Sequence, residues 1–362
     1  MASNDFEANG PGRASLGFHG GNLAAAGSCF PDAPLPWLDL STGINALSYP
    51  MPTLSANAWQ RLPEAADIAR LEQVAARCYG AGDPESVVAA PGTQALIQLL
   101  PHIVPGTTVG IFGFTYAEHA RAWQAAGAAV ALVDLGAAAQ RFDVIVVVNP
   151  NNPDGRLLDA AALLALAQRC TTLVVDEAFM DVMPSGHSLI PHLPHSGAIV
   201  LRSFGKTFGL AGLRLGFAVA SPDLAERLRR RLGPWAISGP AIETGALALA
   251  DNAWLAKATS GLRQAAHRLD GLLQAAGCGI AGGTPLFRLA SHARAPEIFV
   301  RLASAGVLVR PFADKPEWLR FGLPMREADW ARLAAALDGI SQIRASLAPA
   351  IDRGDETKGL GH

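Results

Sequence analysis

The sequence predicts an α/β protein, in which a large domain around a mostly parallel sheet precedes a smaller α/β domain. Three observations predict this architecture: the length of the chain, apolar runs that alternate with helical stretches, and a change of pattern after Ser221. With 362 residues, the chain is too long for one simple core. Half of the residues are hydrophobic and only 17% are charged, so sizeable cores can form and disorder is not expected.

Short apolar runs, separated by helical stretches, supply the strands of the predicted sheet. Runs that are apolar on both faces belong to parallel sheets that helices cover on either side. A helical stripe over 64–78 comes before them. The runs lie at 86–89, 108–112, 129–133, 144–148, 172–175, 199–201 and 216–220.

The composition divides the chain into four parts. Residues 1–40 are rich in Gly, Pro, Asn and Ala without a clear period, which predicts an irregular N-terminal arm. We place the large domain at 41–230 and the smaller domain at 231–348, and we expect the polar segment 349–362 to be a flexible tail. The strands of the smaller domain are expected near 285–289, 307–309 and 318–322.

Charge and cysteine content exclude several classes of protein. A formal net charge of −2 creates no overall field for nucleic acid or anionic membrane, so neither is expected as a partner. We see no signal peptide and no run of about 18 apolar residues, which predicts a cytoplasmic protein. The cysteines lie far apart, which argues against a metal site or a disulfide framework. They are Cys29, Cys78, Cys170 and Cys278.

The strongest chemical signal lies around Lys206. This lysine stands between glycines directly after the apolar run 199–201. Burial there would lower the pKa of the amine, which favours condensation with an aldehyde. Arg214 follows eight residues later, near enough to pair with a phosphate held by the same loop. The alternative is a surface loop with a stray lysine and arginine.

Asp176 and Glu177 follow another buried run, at 172–175. Ligands of parallel α/β sheets bind beyond the carboxyl ends of the strands. A carboxylate at that place can pair with a protonated pyridine nitrogen and keep the ring an electron sink. The alternative is an acid at the N-cap of a helix, and for Glu177 we favour that alternative.

Two more strand exits carry polar groups. The run 144–148 leads into a turn with several asparagines, whose side-chain amides could donate to a phenolate oxygen. Gly92, Thr93 and Gln94 follow a short strand and begin a helix, where free N–H groups and the helix dipole favour an anion. Plain loop exits are the alternative in both cases.

These four motifs occur in the order Gly-Thr, Asn-Pro, Asp, Lys, each after a strand. In this order the chain resembles the fold-type-I pyridoxal-5′-phosphate (PLP) enzymes of the class I/II aminotransferase superfamily. The resemblance implies a large domain with a seven-stranded sheet, a smaller C-terminal domain, bound PLP, and a homodimer with active sites near the subunit interface. It implies that Lys206 is the Schiff-base lysine and that Asp176 is the partner of the pyridine nitrogen.

The same resemblance implies roles for the remaining cofactor residues. Asn152 would donate to the ring oxygen, and Tyr116 would stack on the ring, unless Tyr116 only packs in the core. The phosphate would be held by a cup of four residues with Gln94 beside it. These four are Gly92, Thr93, Ser203 and Arg214.

The sequence departs from the superfamily pattern at two positions. Phe179 stands where a tyrosine is frequent, which removes a hydrogen bond to the ring oxygen. Leu62 stands where many relatives have a tyrosine that reaches the phosphate of the neighbouring subunit. That contact between subunits is therefore in doubt.

Within the superfamily, the segments 19–22 and 39–45 resemble the threonine-phosphate decarboxylases of cobalamin biosynthesis. This resemblance implies a PLP-dependent decarboxylase that converts L-threonine O-3-phosphate to (R)-1-amino-2-propanol O-2-phosphate. It implies that the N-terminal arm contributes to the substrate site, where two arginines hold the anionic ends of the substrate. Which arginine holds the carboxylate and which the phosphate stays open. The implied substrate residues are His19, Gly20, Gly43, Asn152, Arg310 and Arg320.

Two other functions remain open. One is a histidinol-phosphate-type aminotransferase, which uses the same lysine and aspartate but labilises the Cα–H bond of its substrate. The other is a binding protein that keeps the PLP fold without its chemistry.

Overall fold

The structure is a computed structural model that describes residues 20–134, 141–193 and 197–341. Two sheets organise it, a seven-stranded one and a four-stranded antiparallel one, together with a two-stranded ladder. The predicted α/β class and the mostly parallel seven-stranded sheet are confirmed. His19 and the predicted tail 349–362 lie outside the described residues.

The strands are β1 Leu38–Asp39, β2 Val87–Ala90, β3 Thr108–Phe112, β4 Ala129–Val133, β5 Phe142–Val148, β6 Cys170–Asp176, β7 Ala198–Ser203, β8 Gly216–Val219, β9 Gly279–Thr284, β10 Phe287–Ser291, β11 Val307–Leu308, β12 Arg310–Pro311 and β13 Trp318–Gly322. The α-helices are α1 Leu23–Cys29, α2 Ala56–Gln60, α3 Ala65–Tyr79, α4 Thr93–Ile103, α5 Ala117–Ala125, α6 Ala160–Ala167, α7 Phe204–Thr207, α8 Pro222–Leu232, α9 Gly239–Ala250, α10 Asn252–Ala275, α11 Ala295–Ser304 and α12 Glu327–Ser341.

The large sheet has the strand order β2-β8-β7-β6-β5-β3-β4, and only β8 runs against its neighbours. Helices cover both faces, as β5 shows. Val144 and Val146 pack into the core on one face, whereas Ile145 and Val147 pack into the core on the other. Because the remaining six strands run the same way, the loops after them meet at one edge of the sheet.

The pattern of apolar runs located the strands of the large sheet to within a few residues. The smaller sheet was harder to predict. The predicted strand at 285–289 falls partly on the turn of a hairpin, where Thr284 pairs with Phe287 across Pro285 and Leu286. Proline cannot donate to a ladder, which explains why the strand begins only at Phe287. The glycine-rich β9 carried no apolar run to signal it.

The arm that the sequence predicts to be irregular has regular structure between Asn22 and Asp39. The Asn22 side chain accepts a hydrogen bond from the amide of Ala25 and so begins α1. β1 pairs in parallel with β11, and Phe30 is buried in the core of the smaller sheet. The local sequence pattern does not indicate this helix and strand, because the residues that pack against the arm lie far along the chain.

Packing around the smaller sheet does not begin where the predicted boundary lies. Ile242 and Leu249 of α9 are buried in the large-sheet core, although they follow residue 230. In α10, Trp254 packs against that same core, whereas Leu262 and Leu269 belong to the core of the smaller sheet. The domain limits themselves stay a prediction.

Within the described residues, no helix combines the length and apolar character needed to cross a bilayer.

Candidate active site

A cavity of about 290 Å³ lies at the carboxyl edge of the large sheet. Loops after β2, β5, β6 and β7 line it, together with the N-terminal arm and the smaller sheet. Gly43, a predicted substrate residue, is not in its lining, and an added Cβ there would lie 2.9 Å from Phe287 and 3.0 Å from Phe179. The predicted site residues that line the cavity are Gly20, Gly92, Thr93, Gln94, Tyr116, Asn152, Asp176, Ser203, Lys206, Arg214, Arg310 and Arg320.

Lys206 lies in the single turn of α7, directly after β7. Burial, the neighbouring Arg320 guanidinium and other cations lower the pKa of its amine to about 8, although Asp176 opposes this. Its Nζ atom lies 5.5 Å from the centre of the Phe179 ring. The amine is therefore buried as predicted, and an appreciable fraction of it is neutral near neutral pH.

Asp176 ends β6 and is buried together with His119. The His119 Nε2 atom lies 2.9 Å from Asp176 Oδ2, while the amide of Ala178 donates to Oδ1 at 3.0 Å. Sequence reasoning missed His119. The only signal for it was its helical spacing three residues after Tyr116, with which it makes an edge-to-face ring contact.

Gly92 and Arg214 form a close cradle beside the start of α4. Gly92 has a φ of +85°, and an added Cβ would lie 2.7 Å from an Arg214 guanidinium nitrogen. Arg214 itself has a φ of +56°, a left-handed conformation that is uncommon for non-glycine residues. Its Nη1 donates to the carbonyl of Ala211 at 3.1 Å. A guanidinium, a helix start and a glycine without a side chain make this corner suited to a phosphate.

Arg310 and Arg320 face each other across the β12–β13 pair. Burial and Arg310 lower the pKa of Arg320 to about 9. Arg320 donates from Nη1 to Asn152 Oδ1 and from Nη2 to the Ser41 carbonyl, the latter at 2.9 Å, while its buried Nε has no partner among the described residues. A buried guanidinium beside a half-buried one is costly unless an anionic ligand compensates the two charges.

The charge of the cavity is strongly positive. Among the described lining residues there are four cations and one carboxylate, Asp176, which already has His119 beside it. The cations are Lys206, Arg214, Arg310 and Arg320. The cavity therefore suits a ligand, or a pair of ligands, with more than one anionic group.

Tyr116 and Gln94 are linked at the wall of the cavity. The Tyr116 hydroxyl donates to Gln94 Oε1 at 3.2 Å, and Gln94 Nε2 donates to Glu118 Oε2 at 3.2 Å. Burial and the charge of Glu118 raise the pKa of Tyr116 to about 12, so its hydroxyl stays protonated.

Within the described residues, no group of three or more His, Cys, Asp or Glu side chains is arranged to hold a metal ion.

Glu177 is not at a helix N-cap, which corrects the interpretation favoured from the sequence. It points away from the cavity and pairs with Arg202 at 2.8 Å, while the Leu189 amide donates to it at 2.7 Å. Arg202 also pairs with Asp181 at 2.5 Å and lies over the Tyr79 ring. Glu177 directly follows the last residue of β6, and successive side chains along extended backbone point to opposite sides, which separates it from Asp176.

Replacing Arg202 with methionine is expected to destabilise the fold. Arg202→Met leaves the buried Glu177 and Asp181 carboxylates without their cation, which costs about 3–5 kcal/mol. Urea unfolding should show this loss in the free energy of unfolding. The matched substitution Arg77→Met, on the exposed side of α3, should change it by about 0.5 kcal/mol or less. Equal stabilities of the two variants would contradict the ion-pair argument.

Comparisons with known proteins agree with this geometry. Residues 44–337 match the model of the family described as aminotransferase class I and II. The chain is 44% identical over 334 residues to the threonine-phosphate decarboxylase of Pseudomonas aeruginosa, covering 90% of this chain and 98% of that protein. It is 43% identical to a threonine-phosphate decarboxylase from a Sinorhizobium species, covering 88% and 97%.

Among solved structures, the histidinol-phosphate aminotransferase of Sinorhizobium meliloti, in complex with pyridoxal-5′-phosphate, shares the fold. The TM-score is 0.76 at 21% identity, and the match covers 94% of this chain and 99% of that one. The family match, the relatives of nearly full length and the shared fold lead to one conclusion. The chain belongs to the aminotransferase class I and II family.

Proposed function

We propose that the cavity binds PLP. The residues fit this group: a Cβ on Gly92 would fill the cradle beside Arg214, and this cradle suits a phosphate. Thr93 and Ser203 complete the phosphate cup, Asp176 would pair with the ring nitrogen, and the amide NH₂ of Asn152 would donate to the ring oxygen. Lys206 would hold the cofactor covalently. When bound, PLP supplies an electron sink for charge that develops at the Cα atom of an amino acid.

We propose further that the protein decarboxylates L-threonine O-3-phosphate in cobalamin biosynthesis. One observation carries this proposal, the facing pair of Arg310 and the buried Arg320 beside Lys206 in a chain 44% identical to a threonine-phosphate decarboxylase. The Cα–carboxylate bond breaks, CO₂ leaves, and Cα takes up one proton to give (R)-1-amino-2-propanol O-2-phosphate. The substrate carries both a carboxylate and a phosphate, which suits a cavity lined by the guanidiniums of Arg310 and Arg320.

The side chains that line the cavity have separate roles in this reaction. Arg310 and Arg320 hold the anionic groups and so orient the bond that breaks at Cα. Asp176, fixed by His119 and the Ala178 amide, holds a negative charge where the cofactor needs it. Lys206 is placed to return a proton to Cα, since its amine can exchange protons near neutral pH.

The product of the reaction tests this function. Purified protein with PLP is incubated with L-threonine O-3-phosphate, and CO₂, amino alcohol phosphate and keto acid are measured. We expect CO₂ and amino alcohol phosphate in equal amounts and no keto acid. An oxo product that forms only when 2-oxoglutarate is added would instead establish the alternative, an aminotransferase of the histidinol-phosphate type. A protein without a covalently attached cofactor would indicate a binding protein.

The rate at which Lys206 captures the cofactor should depend on pH. Attachment requires the neutral amine, and the amine pKa is lowered from 10.5 to about 8. The initial rate of cofactor capture by cofactor-free protein should therefore rise from pH 6 and level off above about pH 8. Stopped-flow absorbance measures it. A rate that keeps rising towards pH 10.5 would mean an ordinary, solvated lysine.

We also propose that the chain forms a homodimer. The large apolar side chains of Met51, Trp59 and Leu62 are 62%, 70% and 65% exposed. Exposed apolar groups this close in sequence favour burial against another subunit. Sedimentation velocity at micromolar concentration measures the mass, and a monomer would contradict the proposal.

A further inference from the structure

Asp39 and Ser41, which line no part of the cavity, form a compact hydrogen-bonded unit behind its wall. Asp39 Oδ1 accepts from the Ser41 amide at 2.9 Å and from the Ser41 hydroxyl at 2.6 Å. The Ser41 Oγ atom in turn accepts from the Gly21 amide at 2.7 Å. A hydroxyl has one proton, so the bond to Asp39 turns its lone pairs towards Gly21. The direction of each bond is thereby settled.

The same residue contacts Arg320 from its backbone. The Ser41 carbonyl accepts from Arg320 Nη2 at 2.9 Å, and both residues are buried, 2% and 4% exposed. Gly20 lies directly against this carbonyl, since an added Cβ there would overlap it. The Ser41 peptide therefore touches the cavity-lining Gly20 on one side and a cavity-lining arginine on the other.

The segment that carries this unit is anchored to the smaller sheet. The Leu40 amide donates to the Leu308 carbonyl at 2.8 Å, and the Gly322 amide donates to the Leu40 carbonyl at 2.6 Å. Arg320 lies two residues before Gly322, on the same strand, β13. The Asp39 carboxylate also raises the pKa of Arg320, against the lowering by burial and Arg310. Asp39 thus compensates part of the charge that this arginine keeps out of water.

We propose that Asp39 and Ser41 are positioning residues for the substrate site, which hold the N-terminal arm at Gly20 and the guanidinium of Arg320 in one fixed arrangement. This inference rests on the proposed function, because it assigns Arg320 to an anionic group of the substrate. Neither residue contacts the ligand itself. Ligand geometry must be held to a fraction of an ångström for efficient binding, and hydrogen bonds behind the lining achieve this.

Ser41→Ala tests the proposal. It keeps the backbone carbonyl that Arg320 contacts and the amide that donates to Asp39, but it removes the hydroxyl that connects Gly21 to Asp39. We expect KM for L-threonine O-3-phosphate to rise about tenfold, because the Gly21 amide loses its acceptor and the arm loosens. The kcat should stay within about twofold, and the dissociation constant of PLP should not change, since the cofactor residues lie on other loops.

A matched control is Ser28→Ala. The Ser28 hydroxyl donates to the Ala24 carbonyl at 3.1 Å on the exposed side of α1, in the same arm. Ser28→Ala should leave KM unchanged. Asp39→Asn should give a smaller increase than Ser41→Ala, because the amide keeps an oxygen that can accept from Ser41. If Ser41→Ala fails to fold, as circular dichroism would show, Asp39→Asn takes its place with the same expected pattern.

A double variant tests whether the contact of Gly20 and the hydroxyl of Ser41 act together on the position of the arm. Gly20→Ala forces the arm away from the Ser41 carbonyl, so it should raise KM as well. If Gly20→Ala and Ser41→Ala both act through the arm, the KM of the double variant should be no higher than that of the single variant with the larger increase. Effects that multiply, a lowered kcat with KM unchanged, or weakened PLP binding would overturn the proposal.

Failure of the proposed function would look different. In that case, the wild-type protein releases no CO₂ from L-threonine O-3-phosphate. Calorimetric titration of the PLP-bound protein with this compound still measures the anion site. A weaker affinity in Ser41→Ala than in wild type would support the positioning role, whereas equal affinities would overturn it.

Discussion

The substitution Lys206→Ala is expected to abolish the activity, with a loss of about 10⁴-fold or more in kcat. It removes both the amine that holds the cofactor and the group placed to return a proton to Cα. Burial keeps this amine partly neutral near physiological pH, and no described residue of the cavity could take over both roles. The measurement is CO₂ release under saturating PLP and substrate.

Cofactor attachment gives a second readout for the same variant. Borohydride reduction of wild-type protein should fix PLP on the peptide that contains Lys206, and mass spectrometry should find none on Lys206→Ala. Lys257→Ala, on the exposed side of α10, is the matched control and should keep both attachment and activity. An active Lys206→Ala variant would rule out Lys206 as the residue that carries the cofactor.

Asp176→Asn is expected to lower kcat by about 10³-fold, the second largest effect. Asparagine has nearly the same size and keeps an oxygen for the Ala178 amide, but it carries no negative charge. Without that charge the pyridine nitrogen would not be kept protonated, and negative charge developing at Cα would be stabilised poorly. Steady-state kinetics at saturating PLP separates this effect from a loss of cofactor.

PLP binding should largely survive in Asp176→Asn, because the cradle of Gly92 and Arg214 is unchanged. Asp223→Asn, at the exposed start of α8, should behave as wild type. A kcat for Asp176→Asn within about tenfold of wild type would place the partner of the ring nitrogen elsewhere. Together the two lysine and aspartate variants test separate roles, covalent attachment and charge stabilisation.

Much of the fold could be predicted from local pattern. The run at 108–112 coincides with β3, where Val109 and Ile111 pack on one face of the sheet and Phe112 on the other. A strand buried on both faces must be apolar along most of its length, so its sequence marks it. The parallel direction of such strands then gathers their exits at one edge. For that reason Asp176 and Lys206, distant from each other along the chain, could be assigned to one site from the sequence alone.

Other features depend on contacts that no local pattern reports. His119 looks like any polar residue of a helix until α5, which packs against β3 and β4, brings it 2.9 Å from Asp176 at the end of β6. Glu177 looked like an N-cap because its cation, Arg202, lies on the neighbouring strand. The helix and strand of the N-terminal arm were likewise invisible, since their partners lie in β11 and in the core of the smaller sheet.

The sequence by itself determined the class of fold, the strands of the large sheet and several residues that line the cavity, because these follow from hydrophobic period and from loops at strand ends. Only the tertiary structure decided how the charges are compensated. It set Arg310 opposite Arg320, gave Asp176 its histidine, and joined Ser41 to both the arm and the arginine. The physical reason is that strand register and the packing of distant segments arise from interactions summed over the whole chain, which no short stretch of residues encodes.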